Sequence, residues 1–118
     1  MTLRGGRVGT RWGALWVVTN AKVFQQGIPV VFVHSLVIAS RYMLPAARLL
    51  ASLAPVFVAD LPGYGKSAKP RHLLRVSELA DVLAEFLDAR GFESAHWVGN
   101  SFGCQIIVDF AARHPHRA

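Results

Sequence analysis

The sequence predicts an α/β fold: a mostly parallel sheet with helices on both of its faces. Three observations predict it. Residues 29–34 and 55–60 are continuous apolar runs rich in β-branched side chains, and a strand that is hydrophobic on both sides is one covered on both sides. Segments of helical length separate these runs, and strand–helix alternation is how parallel strands are connected. A third apolar run, 95–99, ends in Gly99-Asn100-Ser101-Phe102-Gly103. An apolar segment of helical length follows, so the chain turns sharply from strand to helix around one serine.

Taken in order, residues 1–11 are rich in glycine and arginine and are expected to be flexible. Residues 11–12 and 14–19 read as β material around a turn at Gly13, and 21–24 as an extension of the second strand, broken at Gly27. Residues 29–34 form the first buried strand. After a loop at 35–39, a helix starting near Ser40 carries Leu44, Leu49, Leu50 and Leu53 inward, with Pro45 in its first turn. Residues 55–60 form the second buried strand, and the loop 61–70 holds Pro62, Gly63, Gly65 and Pro70. Ser77 is the expected cap of a helix in which Leu79, Val82, Leu83, Phe86 and Leu87 make an apolar stripe, with Gly91 as its terminator. Residues 95–99 form the third buried strand. The helix 102–113 is apolar on nearly every side and is expected to be sandwiched; His114-Pro115 ends it.

With 118 residues, 53% hydrophobic and 17% charged, the chain is read as globular and as one domain at most, 1–118. Its apolar runs are too short to span a membrane. Cys104 is the single cysteine, which excludes an intrachain disulfide and a cysteine zinc cluster, and points to a reducing, cytoplasmic setting. No metal and no cofactor are expected. The formal charge of +6 comes from arginines spread along the chain. No dense basic cluster interleaved with aromatics stands out, so nucleic acid is not an expected partner, and neither is a membrane.

Two motif readings fail on spacing. Gly65-Lys66-Ser67 resembles the end of a P-loop, but position 60, where that motif needs glycine, is Asp. Gly63-x-Gly65-x-x-Ala68 does not open a helix, because Lys69-Pro70 follow. The third motif survives. Gly99 and Gly103 flank Ser101 where a Cβ would meet a neighbouring element, and Ser101 stands at a helix N-terminus suited to developing negative charge.

The order of His34 closing an apolar strand, Asp60-x-x-Gly63-x-Gly65-x-Ser67, and Gly99-Asn100-Ser101-Phe102-Gly103 resembles the α/β-hydrolase fold family, in particular its bacterial esterase-like and carbon–carbon-bond hydrolase members. The likeness covers residues 12–118. It implies Ser101 as the nucleophile and the backbone N–H groups of Leu36 and Phe102 as the oxyanion hole, with His34, Ser35, Gly99, Asn100 and Gly103 as the supporting motif. It implies an ester-like small-molecule substrate, or a carbon–carbon bond cleaved through an acyl-enzyme.

The chain departs from the family pattern twice. Ser35 stands where glycine is usual, which is expected to strain the loop if the backbone there needs a positive φ. The triad acid and histidine of the family follow the nucleophile on later strands, and here only Asp109, His114 and His116 follow Ser101. The helix carries the two histidines about 20 Å away at 1.5 Å per residue. The chain is therefore expected to be the N-terminal half of a hydrolase, inactive alone, with an exposed sheet edge open to self-association. The alternative is a non-catalytic small-molecule binding or interaction module on the same fold.

Overall fold

In a computed structural model, which describes residues 3–21, 27–35 and 40–118, five strands form one sheet: β1 (Arg4–Thr10), β2 (Gly13–Thr19), β3 (Val30–Val33), β4 (Val56–Ala59) and β5 (His96–Gly99). Their order across the sheet is β1-β2-β4-β3-β5. The β4-β3-β5 centre is parallel in both ladders, and the β1-β2 hairpin adds to it antiparallel. Three α-helices, α1 (Leu44–Leu50), α2 (Val76–Arg90) and α3 (Phe102–Arg113), flank the sheet. The predicted α/β architecture with helices on both faces is the observed one.

The continuous apolar strands divide their side chains between two cores. Val31 and Val33 of β3 and Phe57 and Ala59 of β4 meet α2 and α3 on one face. Phe32, Val56 and Val58 meet Met43, Ala47 and Ala51 of the α1 side on the other. All five stripe residues of α2 are buried as expected, each worth about 1.5–3 kcal/mol. Phe86 meets the Phe57 ring edge-on at 5.1 Å between centroids. Gly91 closes α2 with φ 75° and its N–H on Asp88 O.

Several expectations are corrected. Residues 4–10, placed in a flexible lead, form β1, paired with β2 along its full length. The expected strand extension over 21–24 falls largely outside the described residues. A 3₁₀ turn over Ser40–Met43 precedes α1 and sets its phase, so the 43/47/51 face is inward, while Leu49 and Leu53 are 79% and 80% exposed. The cap of α2 is Arg75, not Ser77; its N–H donates to Glu78 Oε1 at 2.8 Å. The run 95–99, read as a buried strand from its apolar pattern, is the exposed sheet edge that was also expected: among the described residues β5 pairs only with β3, and His96 and Val98 lie open on the α1 face. For the same reason α3 is not sandwiched. It buries Gly103, Ile106 and Phe110 and leaves Val108 68% exposed.

Candidate active site

Ser101 lies between the end of β5 and the first residue of α3. Its backbone has φ 53° and ψ −111°, and among the described residues it is the one non-glycine with positive φ. Such strain persists only where surrounding structure imposes it, and both neighbouring glycines show how. A Cβ on Gly103 would collide with the Val33 carbonyl oxygen and stand 2.8 Å from the Val33 carbonyl carbon. A Cβ on Gly99 would stand 2.7 Å from Ile107 Cδ1 and 2.9 Å from Cys104 N. The predicted need for glycine at both positions is therefore met by contact with β3 and with α3. The turn that results leaves Ser101 exposed.

The N–H groups at the start of α3 are unevenly used. Gly103 N donates to Asn100 O at 2.9 Å and Cys104 N to Ser101 O at 3.0 Å. Phe102 N–H donates to no acceptor among the described residues, so it is free for a ligand at the positive end of the helix dipole. Leu36 lies outside the described residues.

The strand order sets the rest of the site. β3 lies between β4 and β5, so the loops after β3 and β5 leave the same sheet end, where ligands of open α/β sheets bind. The loop after β3 is tied down at both ends. His34, wholly buried, accepts the Leu61 N–H at Nε2 (2.9 Å). The proton is thus on Nδ1, which donates to Ser35 O at 2.7 Å. At the far end, the buried Asp60 carboxylate accepts from Ser40 N at 3.0 Å and from Ser40 Oγ at 2.6 Å, and its other oxygen accepts from Lys66 N at 3.0 Å. Ser35 does not have positive φ, so the expected strain at that residue is absent. Its N–H donates to Tyr42 Oη at 3.0 Å, and Tyr42 donates to Asn100 Oδ1 at 3.2 Å.

Tyr42 thus bridges the loop after β3 to the serine turn, and sequence reasoning missed it. No periodicity or motif marks a residue on a 3₁₀ turn as a partner of Asn100, 58 positions away. Asp60 was visible in its motif, but its bond to Ser40 was not.

The groups able to activate a serine are engaged or remote. His34 has both ring nitrogens occupied. Asp109 is held by Arg113 at 2.8 Å, and Arg113 also grips Asp81 of α2 at 2.7 Å. His72 packs edge-on against Trp12, and His114 stacks on Phe110. Ser101 Oγ makes no hydrogen bond among the described residues. Those residues also contain no cluster of metal-ligating side chains and no helix long and apolar enough to cross a membrane.

Comparison with known proteins converges on one family. A family model described as the alpha/beta hydrolase fold matches residues 28–118. A haloalkane dehalogenase of Bradyrhizobium diazoefficiens is 32% identical over 91 residues, which are 76% of this chain and 29% of the dehalogenase. Among solved structures, a membrane phospholipase A described as a bacterial virulence factor superposes with a TM-score of 0.90 at 28% identity, covering 98% of this chain and 37% of the phospholipase. A mutant of the N-acyl homoserine lactonase AidH complexed with N-hexanoyl homoserine gives a TM-score of 0.87 at 23% identity over 98% of this chain and 42% of the lactonase, a likeness of fold. The chain spans about a fifth to a third of the length of the first curated relatives it matches.

Two predictions follow from this geometry. Gly103→Ala must push α3 off β3, and overpacking of that kind against backbone costs about 1–3 kcal/mol or more. Chemical denaturation should show that loss, whereas Gly9→Ala, with open space at its Cβ, should cost less than about 1 kcal/mol. The second concerns pH. Burial lowers the His34 pKa from its ordinary 6.5, against the opposing pull of the Ser35 carbonyl and of Asp60. The unfolded chain then takes up a proton before the folded one does, so stability is full above pH 6.5 and falls as pH drops below it. Thermal unfolding between pH 7.5 and 5 should show this slope, and His34→Gln should flatten it.

Proposed function

The chain belongs to the α/β-hydrolase fold family, and from that premise we propose that it carries the nucleophile half of a serine hydrolase site. In this reading Ser101 attacks the carbonyl carbon of an ester, or of a ketone, and becomes acylated as the C–O or C–C bond breaks and the alcohol or carbon fragment leaves with the proton that the base took from the serine. Water afterwards releases the acid. The N–H groups of Phe102 and Leu36 hold the oxyanion, and Tyr42 keeps their two loops in register through Ser35 and Asn100. The observation that carries the reading is the backbone of Ser101. A strained, exposed serine is held by two glycine contacts at a helix N-terminus, with the Phe102 N–H free beside it.

The relatives support hydrolysis as the reaction class. The acid and the histidine base are supplied in this proposal by sequence beyond these 118 residues, and the chain alone is inactive. A second reading, a non-catalytic small-molecule module, is favoured by the engagement of His34 and Asp109 in structural bonds. A longer chain that carries a late Asp and His and hydrolyses esters in a Ser101-dependent way would decide for the first.

For the 118-residue chain, turnover of a p-nitrophenyl ester should stay far below the ~10 s⁻¹ typical of enzymes, and Ser101→Ala should change it little. An oxyanion site without its base retains a residual of roughly 10³–10⁴ over water. Turnover near ~10 s⁻¹ that Ser101→Ala abolishes would mean that a base is already in place.

The reading also includes self-association. Among the described residues the outer edge of β5 is unpaired, and Val98 beside it is 38% exposed. Edges of this kind template pairing with a second chain. Light scattering should show the protein associating at rising concentration, with Val98→Lys shifting it towards monomer. A monomer at all concentrations would remove this part of the proposal.

A further inference from the structure

The fold gathers the acidic residues on one face of the sheet. Of the acidic residues, Glu78, Asp81, Glu85 and Asp88 lie on α2, Glu93 just follows it and Asp109 is on α3. All therefore lie on or beside the two helices of one sheet face. Asp60 alone is elsewhere, buried and engaged by Ser40 and the Lys66 N–H.

The opposite face is basic. Leu15 and Val17 point into the α2–α3 core, so the alternation of β2 sends Trp16 to the α1 face. Arg7, directly opposite Trp16 in the hairpin, goes with it. The Arg7 guanidinium sits 4.9 Å from the Trp16 ring centroid and Lys66 Nζ sits 4.7 Å from it. Beside this cluster is a cleft of about 480 Å³ lined by Trp16, Val18, Leu44, Arg41, Lys66 and Asp60. Among the described residues Arg41 makes no hydrogen bond or ion pair, and Lys66 Nζ meets the Trp16 ring.

The cleft thus has two chemistries. Val18 and Leu44 with the Trp16 ring make an apolar wall, and Lys66, Arg41 and the adjacent Arg7 make a cationic rim. That rim sets three cations against one carboxylate whose oxygens already accept hydrogen bonds. The space fits a small molecule rather than a polymer. We propose that this cleft, on the α1 side of the hairpin and separate from Ser101, binds a small amphiphilic anion. Its phosphate or carboxylate pairs with Arg41 and Lys66, and its hydrocarbon part lies along Trp16, Val18 and Leu44. Arg41 would supply the fork suited to two acceptor oxygens, and Lys66 a point charge.

The experiment is calorimetry of the full chain with octyl phosphate below its micellar concentration, beside inorganic phosphate and vesicles of phosphatidylglycerol. Saturable binding of one octyl phosphate is expected, at least about tenfold tighter than inorganic phosphate, since burying two methylenes suffices for that factor. The Arg41→Ala/Lys66→Ala double variant should bind about tenfold more weakly. Both side chains are exposed, so the fold should survive, and the charge-conserving Arg41→Lys variant should lose less affinity than Arg41→Ala. Ser101→Ala should bind as the parent does, which separates this site from the proposed hydrolase site. Equal affinity in the double Ala variant would overturn the proposal. So would inorganic phosphate binding as tightly as octyl phosphate, because the apolar wall would then play no part. Binding to vesicles without binding of soluble octyl phosphate would assign the basic face to a lipid surface and overturn it as well.

Discussion

The first turn of α3 rests on the carbonyl end of β3 with no side chain between them. Gly103 is the contact, and any Cβ there would meet the Val33 oxygen. Much of the site is a consequence of that approach. The helix must start close to the strand, so the chain leaving β5 has one residue in which to reverse. That residue is Ser101, at φ 53°. Strain of about 1–3 kcal/mol in one residue is sustained because α3 buries Ile106 and Phe110 against the core at the same time. The turn exposes the serine and leaves the Phe102 N–H without an acceptor among the described residues.

A second set of bonds holds the loop that faces this turn. His34 and Asp60 are buried polar groups, costly unless satisfied, and each is satisfied by backbone of a neighbouring loop. His34 ties the end of β3 to Leu61, and Asp60 ties the residue after β4 to Ser40. His34 and Ser40 are therefore both bonded to residues at or after the end of β4. Tyr42 then connects Ser35 to Asn100. A neutral imidazole suits the first bond, because Nε2 must accept while Nδ1 donates. Desolvation and the Leu61 hydrogen bond thus select the neutral ring, against the pull of the Ser35 carbonyl and Asp60.

The two faces of the sheet differ in chemistry as well as in cover. One face carries α2 and α3, the larger core and nearly all the carboxylates. Arg113 joins its two helices through Asp81 and Asp109. Among the described residues the other carries α1 and the 3₁₀ turn before it, which cover β4 and β3 but not β5 or the hairpin. The uncovered parts show what such a face exposes: the apolar Val98 on one side, and Arg7, Trp16 and Lys66 on the other.

The α/β class, the parallel centre, the α2 stripe, the extent of α3 and the serine turn were legible in the sequence, because each depends on local period or on glycine spacing. Gly99 and Gly103 announced a close approach before the strand they approach was known. The phase of α1 was not legible: Leu49 and Leu53 look like core by composition, but a 3₁₀ turn upstream rotates them outward. The openness of β5 was not in the pattern of residues 95–99, since an apolar strand reads the same whether one neighbour or two pair with it; the exposed edge came from the family resemblance. Nor was the bridge from Ser35 through Tyr42 to Asn100, or the gathering of Arg7, Arg41 and Lys66 around Trp16. These join residues far apart in the chain, and only the order of strands in the sheet brings them within reach. The sequence alone determined which residues can turn, cap and bury. The tertiary structure decided which of them meet, because a hydrogen bond or an ion pair depends on separation in space, which local pattern does not encode.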